Sequence, residues 1–483
     1  MTTTTADLKP TLWLAGDVAS AIGAELHASG DAPISGVSID SRTVSPGDIF
    51  FAIKGDRFDG HDFAKMAVGA GARFAVVARE RRSEFDLDDQ NVLIVDDVLQ
   101  AMEALACAAR DRLRLGHKAK VIGVTGSVGK TGTKEALRLS LSACGKTHAS
   151  LASFNNHWGV PLTLSRTPSD IDFGVYEIGM NHAGEIEHLV DMVRPNIAII
   201  TTVGPVHLEF FENEEGIARA KAEIFTGLDP DGFAVLNADN HHFALLSEIA
   251  RESGASIVAF GEASGADVRL VSVDLNEDSS DVSIDLMGTR YAYRLGAPGR
   301  HIVQNSLGVA AALHLAGADV NTGLKALSGL SAPKGRGARH RLKAGKGALT
   351  LLDESYNANP TSMRAALSLL GSTEPDDDGR RIAVLGDMLE LGPESDTLHA
   401  KLSDAVLNAN VKRAYLCGPH MAFLADRLSE KISVKYADQS AGLEESLLAE
   451  VAEGDVVMVK GSLGSRMGRL VEALQRRFPP EAL

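Results

Sequence analysis

Three cysteines among 483 residues, Cys107, Cys144 and Cys417, stand too far apart in sequence to give a zinc-binding spacing. Such isolated thiols suit a reducing compartment and are expected to pack as small apolar side chains. No run of about 18 apolar residues occurs, so no transmembrane helix is expected. Residues 1–10 lack the basic-then-apolar order of a secretory signal. Positive charge is also short. Lys and Arg number 48 against 64 Asp and Glu, a formal net charge of −16. That balance argues against a general nucleic-acid or anionic-membrane partner. Anionic small ligands stay open, because a local basic pocket can hold them. No internal repeat is present. The expectation is a cytoplasmic protein.

The length predicts roughly three domains, and 45% apolar residues are enough for their cores. Residues 1–115 read as a mixed α/β segment, with strands at 49–53 and 74–77 and helical pattern at 62–70 and 97–113. Residues 116–118 read as a hinge. From 121 the pattern alternates: strand 121–125, helix 131–144, strand 173–178, helix 184–192, strand 197–203. This is the signature of a doubly wound parallel sheet. Residues 266–295 alternate like antiparallel strands, and 302–316 return to helix. A basic, glycine-rich stretch at 334–339 marks a second boundary. Beyond it strands at 348–353, 381–386, 413–417 and 455–459 alternate with helices. Asn359 caps one of these helices and Pro360 sits in its first turn. The fold expected is α/β in three domains: 1–115, 116–331 and a Rossmann-like 332–483.

The densest chemical signal is Thr125-Gly126-Ser127-Val128-Gly129-Lys130-Thr131-Gly132, a glycine turn between a β-branched strand and a helix. Turn amides at a helix N-terminus make an anion site, and glycines let backbone approach phosphate. Lys130 adds a point charge for the β- and γ-phosphates, and Thr131 a hydroxyl for Mg²⁺. The loop departs from the usual spacing, with Val124 where a glycine is common. Ligands of open parallel sheets gather beyond the carboxyl ends of the strands. Glu177 and His207 both follow such ends, and together could hold a divalent cation. Taken alone, a buried salt bridge accounts for Glu177 and a structural role for His207. Lys221 falls on the apolar stripe of a helix expected over 216–228, with Ile217, Ala220, Ile224 and Leu228. Such a lysine snorkels or is neutralised, by an ion pair or by covalent modification. Spacing alone favours snorkelling. Asp353 ends a strand before a polar loop, and Arg336 sits in the glycine hinge.

These residues occur in order with Asn155-Asn156, Gly159-Val160-Pro161, Asn181-His182, the Lys221-to-Phe225 run, Pro298-Gly299-Arg300-His301, Asn305 and Ser355-Tyr356-Asn357-Ala358-Asn359-Pro360. Over nearly its whole length the chain resembles the Mur ligases of peptidoglycan synthesis. The resemblance implies an ATP-dependent amide ligase. Its substrates would be UDP-N-acetylmuramoyl-tripeptide and D-alanyl-D-alanine, joined through an acyl phosphate, in a monomer. It further implies that Thr131 and Glu177 hold one Mg²⁺. His207 and Lys221, the latter as N6-carboxylysine, serve a second. Asn305 would meet adenine, and Arg336 and Asp353 the nucleotide, with Arg339 a possible sharer of the Arg336 role. Ser41 and Arg42 would lie near the uridine end, and Asn155, Asn156, Tyr356 and Asn357 near the peptide substrates. Gly132 stands where many relatives carry a second hydroxyl residue. Two other readings compete. One is a sister ligase that adds a single amino acid, or a folylpolyglutamate synthase. The other is a nucleotide-gated binding protein with a relict loop.

Overall fold

The structure is a computed structural model describing residues 10–55, 58–116, 119–150, 153–206, 208–276, 278–331, 335–376 and 378–481. Three main sheets follow one another along the chain. The first is four-stranded and parallel: Gly36–Ser38, Asp48–Phe51, Phe74–Ala78, Val92–Val95. Helix Val98–Leu115 packs on it and shares its core with Trp13, Val76 and Leu93. Leu162, from helix Gly159–Ser165 of the next region, enters that same core. The Trp13 indole N–H donates to Ser165 O at 2.8 Å, so the first sheet is docked on the second.

The second sheet has nine strands. From one edge they run Thr289–Leu295, Ser280–Leu286, Val268–Leu275, Ser256–Gly261, Phe233–Asn237, Ile197–Ile200, Lys120–Thr125, Phe173–Glu177 and Thr147–Ala149. The inner strands are parallel and mostly apolar, because helices cover both faces. Alternate residues feed opposite cores. Ile122, Val124, Ile197 and Ile199 pack on one side, and Val121, Ala198 and Ile200 on the other. Strands 268–295 pair antiparallel, with the alternating burial expected of a sheet solvated on one face.

The third sheet runs Ala338–Ala344, Gly347–Glu354, Val456–Lys460, Arg381–Gly386, Arg413–Cys417, Ser433–Ala437, with only the first pair antiparallel. Helix Pro360–Ser372 opens with the expected cap. The Asn359 side chain accepts from Ser362 N, and Ser362 Oγ receives Asn359 N in return.

Several expected spans are corrected. The strand expected at 49–53 ends at Phe51, where Ile53 N turns back to Phe51 O. The one expected at 197–203 ends at Ile200. The helix expected at 216–228 is Glu214–Ala222, started by Asn213 accepting from Gly216 N, and it tightens into a 3₁₀ turn over Glu223–Phe225. The basic stretch at 334–339 is only partly a linker, since a strand begins at Ala338.

Candidate active site

The phosphate-type loop stands at a topological switch. Its strand, Lys120–Thr125, pairs on one side with Phe173–Glu177 and on the other with Ile197–Ile200. The chain after it returns first to one side and then to the other, which opens a crevice beyond the carboxyl ends. A cleft of about 1230 Å³ fills that crevice and reaches the third sheet.

The loop is held from below. Thr201 Oγ1 donates to Val128 O at 2.6 Å, and Ser127 N donates to Thr202 O at 2.8 Å. Gly126 has φ +147°, and a Cβ there would lie 2.0 Å from Thr201 Oγ1. Gly129 has φ +91°, and its Cβ would lie 2.5 Å from Asn305 Nδ2. The glycines are therefore required by conformation and by contact. Ser127, Val128, Gly129, Lys130 and Gly132 line the cleft, whereas Thr125, Gly126 and Thr131 lie behind that surface. A Cβ on Gly132 would meet nothing within 4 Å.

Glu177 is the organising carboxylate and is 1% exposed. Its Oε1 accepts from Asn155 Nδ2 at 2.7 Å, Thr131 Oγ1 at 3.0 Å and Ser153 Oγ at 3.1 Å. Its Oε2 is buried and has no hydrogen-bond partner. A buried carboxylate oxygen without a partner is costly. Cations converge opposite it. Lys130 Nζ donates to Gly126 O at 2.6 Å. Burial pulls the Lys130 pKa down; Glu177 opposes this and Arg336 adds to it.

Lys221 does not snorkel. It is 1% exposed, and among the described residues its ammonium has no hydrogen bond or ion pair. Burial lowers its pKa well below the usual 10.5, the nearby Lys130 charge lowers it further, and Glu223 opposes. Snorkelling is excluded because the whole side chain is buried, although Asn213, Glu215 and Arg219 around it on the same helix reach solvent. Burial therefore shifts Lys221 toward the uncharged amine.

The third sheet contributes from across the cleft. The Arg336 Nη2 donates to Ser153 Oγ at 3.3 Å, and its guanidinium lies 4.3 Å from the Tyr356 ring centre. Arg339 instead approaches Asp278 and does not line the cleft. Asp353 is buried and committed to the hinge. Its Oδ2 accepts from Gly335 N at 3.1 Å and its Oδ1 from Ser355 Oγ at 2.6 Å. Tyr356 and Asn357 line the cleft, and Lys460 Nζ donates to Asn357 O at 2.9 Å. Asn156 also lines it, with its Oδ1 accepting from Gly159 N. Ser41 and Arg42 do not line it; Arg42 is exposed and pairs with Asp40 at 2.6 Å. His207 lies outside the described residues.

Ser153 and Thr201 carry much of this geometry without having stood out in the sequence. Thr201 had a signal, being at the end of an expected strand. Ser153 had none, since its three contacts come from distant segments.

Comparison with known proteins agrees in extent and kind. Residues 33–110 match the Mur ligase family catalytic domain, 124–313 the Mur ligase middle domain, and 338–463 the Mur ligase glutamate ligase domain. A UDP-N-acetylmuramoyl-tripeptide–D-alanyl-D-alanine ligase of Rickettsia prowazekii is 31% identical over 96% of this chain and 100% of its own length. A solved MurF of Acinetobacter baumannii superposes with a TM-score of 0.80, at 29% identity over 96% of this chain and 99% of its own. A MurF ligase of Thermotoga maritima in complex with ADP gives 0.74, at 27% identity over 92% and 97%. Among the described residues no helix is long and apolar enough to cross a membrane.

Proposed function

The chain belongs to the Mur ligase family, and from that premise we propose how its cleft divides the work of one member's reaction. The enzyme is an ATP-dependent ligase that joins D-alanyl-D-alanine to UDP-N-acetylmuramoyl-tripeptide in peptidoglycan precursor synthesis. The observation that carries the residue assignment is Glu177, one oxygen triply bonded and the other buried and unpaired beside buried cations.

In the first step a tripeptide carboxylate oxygen attacks the γ-phosphorus of ATP. The bond to the β,γ-bridging oxygen breaks and ADP leaves. In the second, the dipeptide amine attacks the acyl carbon, loses its proton, and phosphate departs with the former carboxylate oxygen. Phosphoryl transfer depends on positioning and charge neutralisation more than on covalent help from the protein. The loop amides and Lys130 bind and orient the phosphates. Arg336, reaching from the hinge to Ser153, adds a charge from the third domain. Asn305 lies against Gly129 and borders the nucleotide, while Asp353 keeps the hinge in shape. Tyr356 and Asn357 border the peptide substrates, and Ser41 and Arg42 serve the uridine end.

The oxygen donors fit Mg²⁺, which prefers hard oxygen ligands. Thr131 and Glu177 would hold it, and the ion would neutralise phosphate charge. Burial lowers the Lys221 pKa and so raises its share of free amine, the form that reacts with CO₂: its nitrogen lone pair bonds to carbon, a proton leaves, and a carbamate results. That N6-carboxylysine, with His207, would supply a second oxygen-and-nitrogen donor set. We also place the domain limits at 1–115, 116–331 and 332–483, and take the enzyme as a cytoplasmic monomer.

The test is an acceptor screen. ADP release is measured with UDP-N-acetylmuramoyl-tripeptide and either D-alanyl-D-alanine or single amino acids. Turnover with the dipeptide is expected. Turnover only with a free amino acid would assign a sister ligase, and ATP binding without substrate-dependent hydrolysis would assign a relict binding protein.

A further inference from the structure

We propose that Glu214, His241 and His242 form a binding site for a transition-metal ion of the zinc class, away from the catalytic cleft. Glu214 opens the helix that carries Lys221, and the two histidines precede helix Phe243–Glu252. Glu214 Oε1 lies 3.0 Å from His241 Nε2 and 3.4 Å from His242 Nε2, and all three ligand atoms fall within 4.8 Å of one another. None of the three residues lines the cleft.

Two observations favour a metal over simple ion pairs. First, the close contacts lack hydrogen-bond alignment. Glu214 Oε1 and His242 Nε2 are both buried atoms without a hydrogen-bond partner. Nitrogen and oxygen are near each other, yet the imidazole N–H axes do not aim at the oxygen. Second, the spacing suits a shared ion. Bonds of about 2.0–2.1 Å in a tetrahedron place neighbouring ligands about 3.3 Å apart, close to both observed distances. Two imidazoles and one carboxylate also suit zinc-like ions better than Mg²⁺. Three protein ligands leave a fourth position for water.

The ligands are held on fixed elements. Asn213 caps the helix start by accepting from Gly216 N. Asn240 accepts from His242 N at 2.9 Å and donates to Val203 O at 2.8 Å. An ion here would tie the start of the Lys221 helix to the turn between strand Phe233–Asn237 and helix Phe243–Glu252.

The probe is Co²⁺ added to the full chain with Mg²⁺ in excess, so that the oxygen site is competed. Wild type should take up one equivalent and show the ligand-field band of tetrahedral cobalt. The His241→Ala/His242→Ala double variant should lose that band. Glu214→Gln should weaken binding by more than the roughly 10–100-fold that losing an outer-shell partner costs. Absence of the band in wild type would overturn the site and leave ion pairs only. A band that persists in the double variant and in Glu214→Gln would overturn it as well, placing the metal elsewhere.

Discussion

Two parallel sheets face the same cleft with their carboxyl ends, and they treat buried charge in opposite ways. On the third sheet, Lys460 is 2% exposed but donates to Glu354 Oε2 at 3.2 Å and to Asn357 O at 2.9 Å. Asp353, equally buried, is bonded to Gly335 and Ser355. His399 accepts from Met388 N and donates to Ser395 O. On the central sheet, Lys221 is as deeply buried and has no partner among the described residues, and Glu177 leaves one oxygen unpaired. Satisfied buried charge fixes a shape. Unsatisfied buried charge marks where something else must bind. The geometry of the fold is the same at both edges, so position alone does not separate a scaffold from a reactive site.

The contrast breaks most easily at its reactive side. Glu177→Gln and Lys221→Ala should each lower the ADP-release rate by about 10³-fold, the upper range for losing one electrostatic contributor. Lys221→Ala should regain part of its rate with small carboxylates such as acetate. Full activity of that variant at low bicarbonate would end the carbamate assignment. Lys221→Met should at the same time melt higher than wild type. The sign follows from the shift. The folded Lys221 pKa lies below 10.5, so folding binds fewer protons than unfolding. Its destabilising effect is full below the folded pKa and vanishes as pH rises toward 10.5. The methionine variant should lose that pH slope in thermal melts.

Lys460→Ala tests the other sheet and should act mainly on stability. Removing one member of a buried pair costs about 3–5 kcal/mol, read as a lower denaturation midpoint. A Lys460→Ala variant as stable as wild type would erase the distinction. Asp353→Ala should cost roughly 1–3 kcal/mol, because Gly335 N and Ser355 N lose their acceptor. Its kinetic signature should be a raised KM for ATP with the loop residues intact. The smallest effect has the opposite sign. Gly132→Ser adds a hydroxyl where a Cβ meets nothing, so ATP KM should fall a few-fold, about what one added hydrogen bond of 0.5–1.5 kcal/mol supplies.

Much of this was legible in the chain, and the limits were physical. The strand, glycine turn and helix around Lys130 read directly, because each is a local pattern. The Asn359-Pro360 helix start read for the same reason. Lys221 did not, since helical spacing shows a stripe but not how deeply a residue on it is buried. Asp353 is expected to meet nucleotide; that its carboxylate also accepts from Gly335 N, Ser355 N and Ser355 Oγ was not legible, because two of these donors are backbone amides, which every residue but proline has. Strands Phe233–Asn237 and Ser256–Gly261 were passed over because short apolar runs look alike in helix and sheet. The strand from Ala338 was hidden by the glycines and arginines in front of it.

Ser153 carries one hydroxyl proton and sits where three requirements cross. It touches Thr131 and Glu177 on the central sheet and Arg336 from the hinge. The hinge arginine therefore meets the Glu177 carboxylate through a single oxygen atom. A small molecule wedged at that atom would part the two halves of the cleft. Such a molecule need not resemble ATP, the sugar nucleotide or the dipeptide.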